Sequence, residues 1–296
     1  MSTVKALINS MRLRTLPLSL SGVVCGSILA SANHSQNVWS FVLLYLTTIA
    51  LQVLTNLCNE MGDHLSGVDS DDREGPNYSL AEGGLSEKQM WHAINGTVIT
   101  CCLSGLAMVL VSGSPWWLLL LGAAAIWAAT HYTLGKSPYG YKGLGDISVF
   151  IFFGLVSVLG GYFVIAQTID FRLWLLAPAV GVGLLSVAVL NVNNIRDMAT
   201  DQGIRRTIPL RIGERRAKWY QTVLVVVGVA CFLSPFPAAF HWLFWFLWAI
   251  PVVGLGLHIA IVWRAHGKFL DPALPLLVLS TFFIATVYSV IFLTIG

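Results

Sequence analysis

Apolar residues run along this chain in long blocks rather than in alternation. Nearly continuous hydrophobic stretches fall at residues 16–32, 38–57, 91–111, 116–132, 147–166, 173–190, 219–233, 243–262 and 273–295. Each approaches the ~20 helical residues that a hydrocarbon layer of ~30 Å requires. Within lipid, backbone N–H and C=O groups must pair inside their own segment, so such runs form helices. The every-second-residue alternation of a membrane barrel is missing. The pattern predicts an all-α polytopic membrane protein with nine spans, the seventh and eighth separated by Pro235, Pro237 and His241. Ahead of the first run, Val4, Leu7, Ile8 and Met11 recur at helical spacing with Lys5 and Arg12 elsewhere on the wheel. That predicts a short interfacial helix leading into the membrane. Lys5, Arg12 and Arg14 in front of a run ending Ala30-Ser31-Ala32 also have the outline of a signal peptide. The expectation adopted is a retained span.

Composition agrees. Of 296 residues, 56% are hydrophobic and 10% charged, with mean hydropathy +0.75; a soluble domain carries ~25% charged residues. Cys25, Cys58, Cys101, Cys102 and Cys231 lie in or beside apolar runs with no CxxC pair, and read as small buried hydrophobes. Glycine patches within the runs read as close helix packing.

The distribution of basic residues changes the picture more. Three lie in the N-terminal arm (Lys5, Arg12, Arg14), two after the second run (Arg73, Lys88) and two after the fourth (Lys136, Lys142). Seven follow the sixth, from Arg196 to Lys218, and two follow the eighth (Arg264, Lys268). Only Arg172 is left for the opposite face. By the positive-inside rule the N-terminus and the even-numbered loops are cytoplasmic. One span more or fewer would scramble this asymmetry, so it supports the count of nine.

Scarce acids gather on the same face. Residues 59–75, "NEMGDHLSGVDSDDREG", hold six of the fourteen: Glu60, Asp63, Asp69, Asp71, Asp72 and Glu74. Residues 190–209, "LNVNNIRDMATDQGIRRTIP", place Asn193, Asp197 and Asp201 four apart. On a helix that spacing stacks all three on one face, ~5–6 Å apart at the β-carbons. Asn59 and Asp63 repeat the Asn-x-x-x-Asp element after the second run. Four runs separate the copies, so both emerge on one face and point the same way. A single domain over 1–296 follows, with two pseudo-repeated halves of about 1–145 and 146–296.

One such acid alone is more often solvated or capping a helix. Two matched clusters near hydrocarbon, at ~2.5–3.5 kcal/mol per mid-bilayer acid, call for counter-charge. Oxygen donors without His or Cys suit a hard ion such as Mg²⁺. The calcium-loop pattern fails, because from Asp69 the fifth and sixth positions are Arg73 and Glu74. Mg²⁺ held by few carboxylates shares its shell with substrate phosphates. Arg73, Lys136, Lys142, Arg205 and Arg206 lie on the right face to meet them. Carboxylates, metal and cations at a membrane surface point to a lipid diphosphate as substrate, its tail among the helices of the lipid bilayer. No nucleic-acid partner is expected.

At this point four segments, in order, resemble the UbiA-type intramembrane aromatic prenyltransferases. They are "LRTLPLSLSG" (13–22), "LTNLCNEMGDHLSGVDSDDREGP" (54–76), "YTLGKSPYGYKGLGDISVFIFFG" (132–154) and "NVNNIRDMATDQGIRRTIPLRIG" (191–213). Glu60 stands where the family usually has Asp, and Asn77 where relatives often have Arg. The resemblance implies a nine-helix bundle around a central cavity. It implies Mg²⁺ ligands at Asn59, Asp63, Asp197 and Asp201, with Asp69 and Asn193 as further candidates. It implies transfer of a polyprenyl group from its diphosphate to an aromatic ring. The first motif is of the naphthoate type, which implies 1,4-dihydroxy-2-naphthoate as acceptor, loss of CO₂, and a place in menaquinone biosynthesis at a bacterial cytoplasmic membrane. 4-Hydroxybenzoate or another phenol is the alternative acceptor. Lys136, Lys142, Arg205 and Arg206 are candidate diphosphate partners, and Tyr132, Tyr139 and Tyr141 candidates to shield an allylic cation. Asp146 is either an acceptor-orienting base or a helix N-cap. A cation-coupled transporter is the competing class, since intramembrane carboxylates also mark ion pathways. Inverted repeats, however, would place the matched motifs on opposite faces.

Overall fold

A computed structural model describes residues 2–31, 37–67, 79–80, 82–233 and 242–295. Asp69 and Arg73 lie outside the described residues. The helices are α1 (Thr3–Ser10), α2 (Leu16–Ser31), α3 (Val38–Ser66), α4 (Glu87–Ser112) and α5 (Leu118–His131). There follow α6 (Gly145–Ala166), then α7 (Leu173–Arg196), α8 (Glu214–Leu233), α9 (Trp242–Arg264) and α10 (Ala273–Ile295). Among the described residues, eight helical segments are long and apolar enough to cross a membrane, α1 and α2 counting as one, and the shorter α5 is a ninth apolar helix. The fold is an all-α bundle of the expected kind, and the chain is an integral membrane protein.

Sequence fixes most of the ends. Asn37 caps α3, accepting from the Trp39 N–H at 3.0 Å. Ser86 and Gln89 form a capping box at the start of α4, pairing two donors that the first turn leaves open. α1 and α2 are split at Arg12, whose φ of 47° and ψ of 52° are left-handed; that conformation costs a non-glycine residue ~1–2 kcal/mol. Its guanidinium bears on the buried Glu60.

α2 is the hub, packing on α3, α6 and α10, while α7 packs on α6 and α8. Small residues make the close crossings. A β-carbon on Gly26 would sit 2.0 Å from the Val158 carbonyl oxygen, and one on Gly154 would sit 2.6 Å from the Gly183 Cα. Without a hydrophobic drive between helices in lipid, close backbone approach of this kind holds a bundle together. α6 contains a π-helical stretch, Phe150–Val156, of the sort that often marks a functional wall. At one end of the bundle the C-termini of α3, α5 and α7 meet the start of α2 and the α5–α6 connection.

Candidate functional site

Two Asn/Asp ladders lie at that end, one on α3 and one on α7 and the turn after it. In α3, Asn59 and Asp63 stand one turn apart. The α5–α6 connection locks the first of them: the Thr133 hydroxyl reaches the Cys58 carbonyl oxygen (2.8 Å) and Asn59 Oδ1 (3.2 Å). Gly62 allows this approach, since a β-carbon there would lie 2.6 Å from the Thr133 carbonyl oxygen. The Tyr141 hydroxyl donates to Asp63 Oδ1 at 2.9 Å.

The second ladder departs from a continuous helix. α7 ends at Arg196, Asp197 is its C-cap, and a single turn, Met198–Asp201, follows. The Asp201 N–H still donates to the Asp197 carbonyl at 2.9 Å, so the four-residue step persists through the break. Arg196 grips Asp197 with two bonds of 2.8 Å and reaches Asp271 Oδ1 at 2.8 Å.

Arg205 joins the two ladders. It forms an ion pair with Asp63, lies 3.4 Å from Asp201 Oδ1 through Nε, and stacks 4.6 Å over the Tyr141 ring. Burial works against its charge, and Asp63 and Asp201 more than offset that, raising its affinity for the proton. Burial and the neighbouring Asp63 carboxylate push the Tyr141 hydroxyl up to about 12, so it stays a donor at physiological pH.

Both ladders line one cavity of about 520 Å³, through Asn59, Asp63, Asn193 and Asp197. Tyr132, Tyr141, Asp146 and Arg205 also line it. An apolar cavity of about 360 Å³ continues from it into the bundle, sharing Arg12, Thr15, Asn59, Tyr132 and Asn193 in its walls. Tyr139 belongs to the apolar part, its hydroxyl donating to the Ala128 carbonyl at 2.9 Å and its ring edge-on to Tyr132 at 5.4 Å.

Other expected residues sit elsewhere. Lys136, Lys142 and Arg206 are exposed and absent from the cavity wall. Among the described residues, the cavity's basic side chains are instead Arg12, Arg14, Arg196 and Arg205. Asp201 is buried behind Arg205, off the cavity wall. Asp146 is not an N-cap, a place taken by Leu144; it accepts from the Tyr220 hydroxyl at 2.9 Å. Sequence reasoning did not reach Thr133, Tyr220 and Asp271. The one available signal for Arg12 and Arg14 was charge bordering a membrane run.

The donor set fits a hard cation. Two amides and two carboxylates, all oxygen ligands, face one cavity. Among the described residues no cluster of three or more His, Cys, Asp or Glu side chains forms. Few protein carboxylates per ion is the usual Mg²⁺ arrangement where substrate phosphates complete the shell.

Comparison with known proteins decides the family. Residues 19–287 match the UbiA prenyltransferase family. The chain belongs to that family. Among UbiA relatives, the 1,4-dihydroxy-2-naphthoate octaprenyltransferase of Escherichia coli (strain K12) is 38% identical over 259 residues, covering 85% of this chain and 83% of its own. The Haemophilus influenzae protein of the same name is 40% identical, covering 75% and 74%. The Mycobacterium tuberculosis one is 36% identical, covering 76% of each. Two solved structures share the UbiA fold at 17% identity. One is a UbiA homolog from Aeropyrum pernix K1 (TM-score 0.71, covering 95% of this chain and 98% of that one). The other is an Archaeoglobus fulgidus homolog bound to DMAPP and Mg²⁺ (TM-score 0.65, covering all of both chains).

Proposed function

We propose that this protein transfers a polyprenyl group from its diphosphate to 1,4-dihydroxy-2-naphthoate, releasing diphosphate and CO₂, in menaquinone biosynthesis. The observation that carries the reading is the Arg205 bridge: it draws the Asp63 and Asp201 motifs, one from each half of the chain, to one cavity that runs on into an apolar one. Relatives at 36–40% identity carry that activity in their names. We assign Asn59, Asp63, Asn193 and Asp197 as the residues that hold Mg²⁺. When bound, Mg²⁺ supplies Lewis-acid neutralisation of the diphosphate.

The chain's own residues do the rest. Arg205, with Arg12 and Arg14, binds the diphosphate oxygens; the guanidinium fork matches them better than an ammonium does. Asp201 and Asp63 hold Arg205 in place before substrate arrives. The allylic C–O bond breaks with its electron pair leaving on diphosphate, and the faces of Tyr132 and Tyr139 steady the resulting carbocation. Apolar walls below exclude water, which would otherwise quench it. The acceptor ring supplies the electron pair of the new C–C bond, and its carboxylate departs as CO₂, returning a pair to the ring. Asp146, held by Tyr220, orients the acceptor hydroxyl. The site's mouth opens at the cytoplasmic face of a bacterial cytoplasmic membrane, a reading that the charge asymmetry supports as to the face. The two motifs descend from parallel halves of one domain.

The test is a prenyl-transfer assay on purified protein with a panel of aromatic acceptors and mass detection. A decarboxylated prenyl naphthalenediol is the expected product. Selective prenylation of 4-hydroxybenzoate would reassign the acceptor, and no transfer to any acceptor would remove the reading.

A further inference from the structure

Glycines in this bundle are of two physical kinds. At Gly22, Gly26, Gly154 and Gly161 an added β-carbon would strike a neighbouring helix, at 3.0 Å or less. These are packing glycines, as the sequence leads one to expect. Gly122 in α5 and Gly160 in α6 differ: among the described residues a β-carbon at either would meet nothing within 4 Å. Both line the apolar cavity. The contrast between neighbours is informative. Both glycines are in the cavity wall, but a β-carbon on Gly161 would meet the Val23 Cα at 3.0 Å, while Gly160, one step round the same helix, has open space before it.

Their positions on the helices agree with the open space. Leu118, Gly122 and Ala125 step along one face of α5 at three- and four-residue intervals, and Val156, Gly160 and Val164 along one face of α6, all in the cavity wall. At ~1.5 Å per residue, Gly122 lies about 15 Å from Tyr132, and Gly160 about 18 Å from Ser148. Both are therefore deep, on two walls of one cavity, far from the diphosphate end. Glycine inside a helix is disfavoured by ~1 kcal/mol relative to alanine, and packing does not demand it at these two places.

Resting on the prenyl-transfer reading above, we propose that Gly122 and Gly160 are specificity-determining residues: their missing side chains leave the passage that a long isoprenoid chain must use. A short allylic chain ends above them. A long chain passes them, and a side chain at either would stop it.

The test uses the full chain in detergent with Mg²⁺, an aromatic acceptor, and equimolar farnesyl and octaprenyl diphosphates in competition. Products are resolved by mass. Gly122→Leu and Gly160→Leu are each expected to lower the octaprenyl-to-farnesyl product ratio by about tenfold or more, the discrimination that a small change of apolar pocket volume carries. Farnesyl transfer should stay close to the unsubstituted rate, which a misfolded variant would not allow. Gly256→Leu, at an equally open glycine of α9 outside the cavity wall, should leave the ratio unchanged. Should the leucine variants fail to fold, Gly122→Ala and Gly160→Ala are expected to shift the ratio the same way by a smaller factor. An unchanged ratio in folded variants at both positions overturns the length assignment and leaves the prenyl-transfer reading standing. Absence of product from the unsubstituted protein with both donors would instead overturn that reading, and this assignment with it.

Discussion

Arg205 pairs with Asp63 across 142 positions of sequence, and the same guanidinium faces Asp201 four residues behind it. One side chain thus draws the carboxylates of both motifs to a common point. Asp63 and Arg205 are largely buried, so neither charge is well served by water and each depends on the other.

From this pairing follows a separation of activity from stability. Asp63→Asn is expected to lower prenyl transfer by ~10²–10³-fold, the cost of losing a preorganised electrostatic partner in a water-poor site. Asp201 continues to serve Arg205, so the melting temperature should fall less than in the double variant Asp63→Asn/Asp201→Asn. Removing a whole buried partner costs ~3–5 kcal/mol. Parallel rate and thermal-unfolding measurements in detergent check both parts; near-normal turnover in Asp63→Asn would remove that residue from the site.

Asp197 is oriented at one remove. Arg196 holds it bidentately and is itself held by Asp271. Partners that orient a metal ligand are worth ~10–100-fold in metal affinity or activity. Asp271→Asn should therefore raise the Mg²⁺ concentration needed for half-maximal rate within that range while leaving the rate at saturating Mg²⁺ largely intact. Asp197→Asn should lose activity at every Mg²⁺ concentration. An identical response from the two variants would contradict the division of roles.

Gly62 controls how closely the α5–α6 connection approaches α3. Gly62→Ala forces a methyl against the Thr133 carbonyl, 2.6 Å away, and overpacking of this kind costs ~1–3 kcal/mol. Displacing Thr133 also frees Asn59. The variant should show both a lower melting temperature and a weaker response to Mg²⁺. A melting shift with an unaltered Mg²⁺ titration would restrict Thr133 to a packing role.

Tyr220 and Asp146 supply a kinetic prediction. If Asp146 orients the acceptor, Tyr220→Phe should raise KM for the aromatic substrate by ~10–100-fold, in keeping with ~1.5–3 kcal/mol for a hydrogen bond to a charged group. KM for the prenyl diphosphate should not move. Equal changes for both substrates would place Asp146 outside acceptor binding.

Much of the fold was legible because lipid leaves few choices. The apolar runs had to be helices, and the distribution of arginines and lysines pointed to nine, against eight long apolar helices and the shorter α5 among the described residues. The Asn-x-x-x-Asp ladders were legible because acids beside hydrocarbon are costly and spacing reveals a shared helix face. Direction beyond the helix ends was not. Arg205 and Arg206 are adjacent, yet the turn after Asp201 aims one into the cavity and the other outward, and hydropathy carries no trace of that difference. Lys136 and Lys142 share the right face without sharing the cavity wall. Asp271 reaches Arg196 only because the end of α7 packs beside the start of α10, a relationship set by three-dimensional packing. The glycine patches read as close helix packing, and Gly22, Gly26 and Gly154 are packed so; the open space at Gly122 and Gly160 was not legible, since helix packing and cavity opening ask for the same residue.

The account's central claim is that the two ladders form one magnesium–diphosphate site. A crystal structure with Mn²⁺ and an unreactive prenyl diphosphate analogue, the metals placed by anomalous scattering, tests it most directly. The expected result is metal within ~2.0–2.2 Å of Asp63 and Asp197 oxygens, near the octahedral Mg²⁺ distance, with the diphosphate between them and Arg205 on its oxygens. Metal bound away from both aspartates, or a diphosphate held without Arg205, would contradict it.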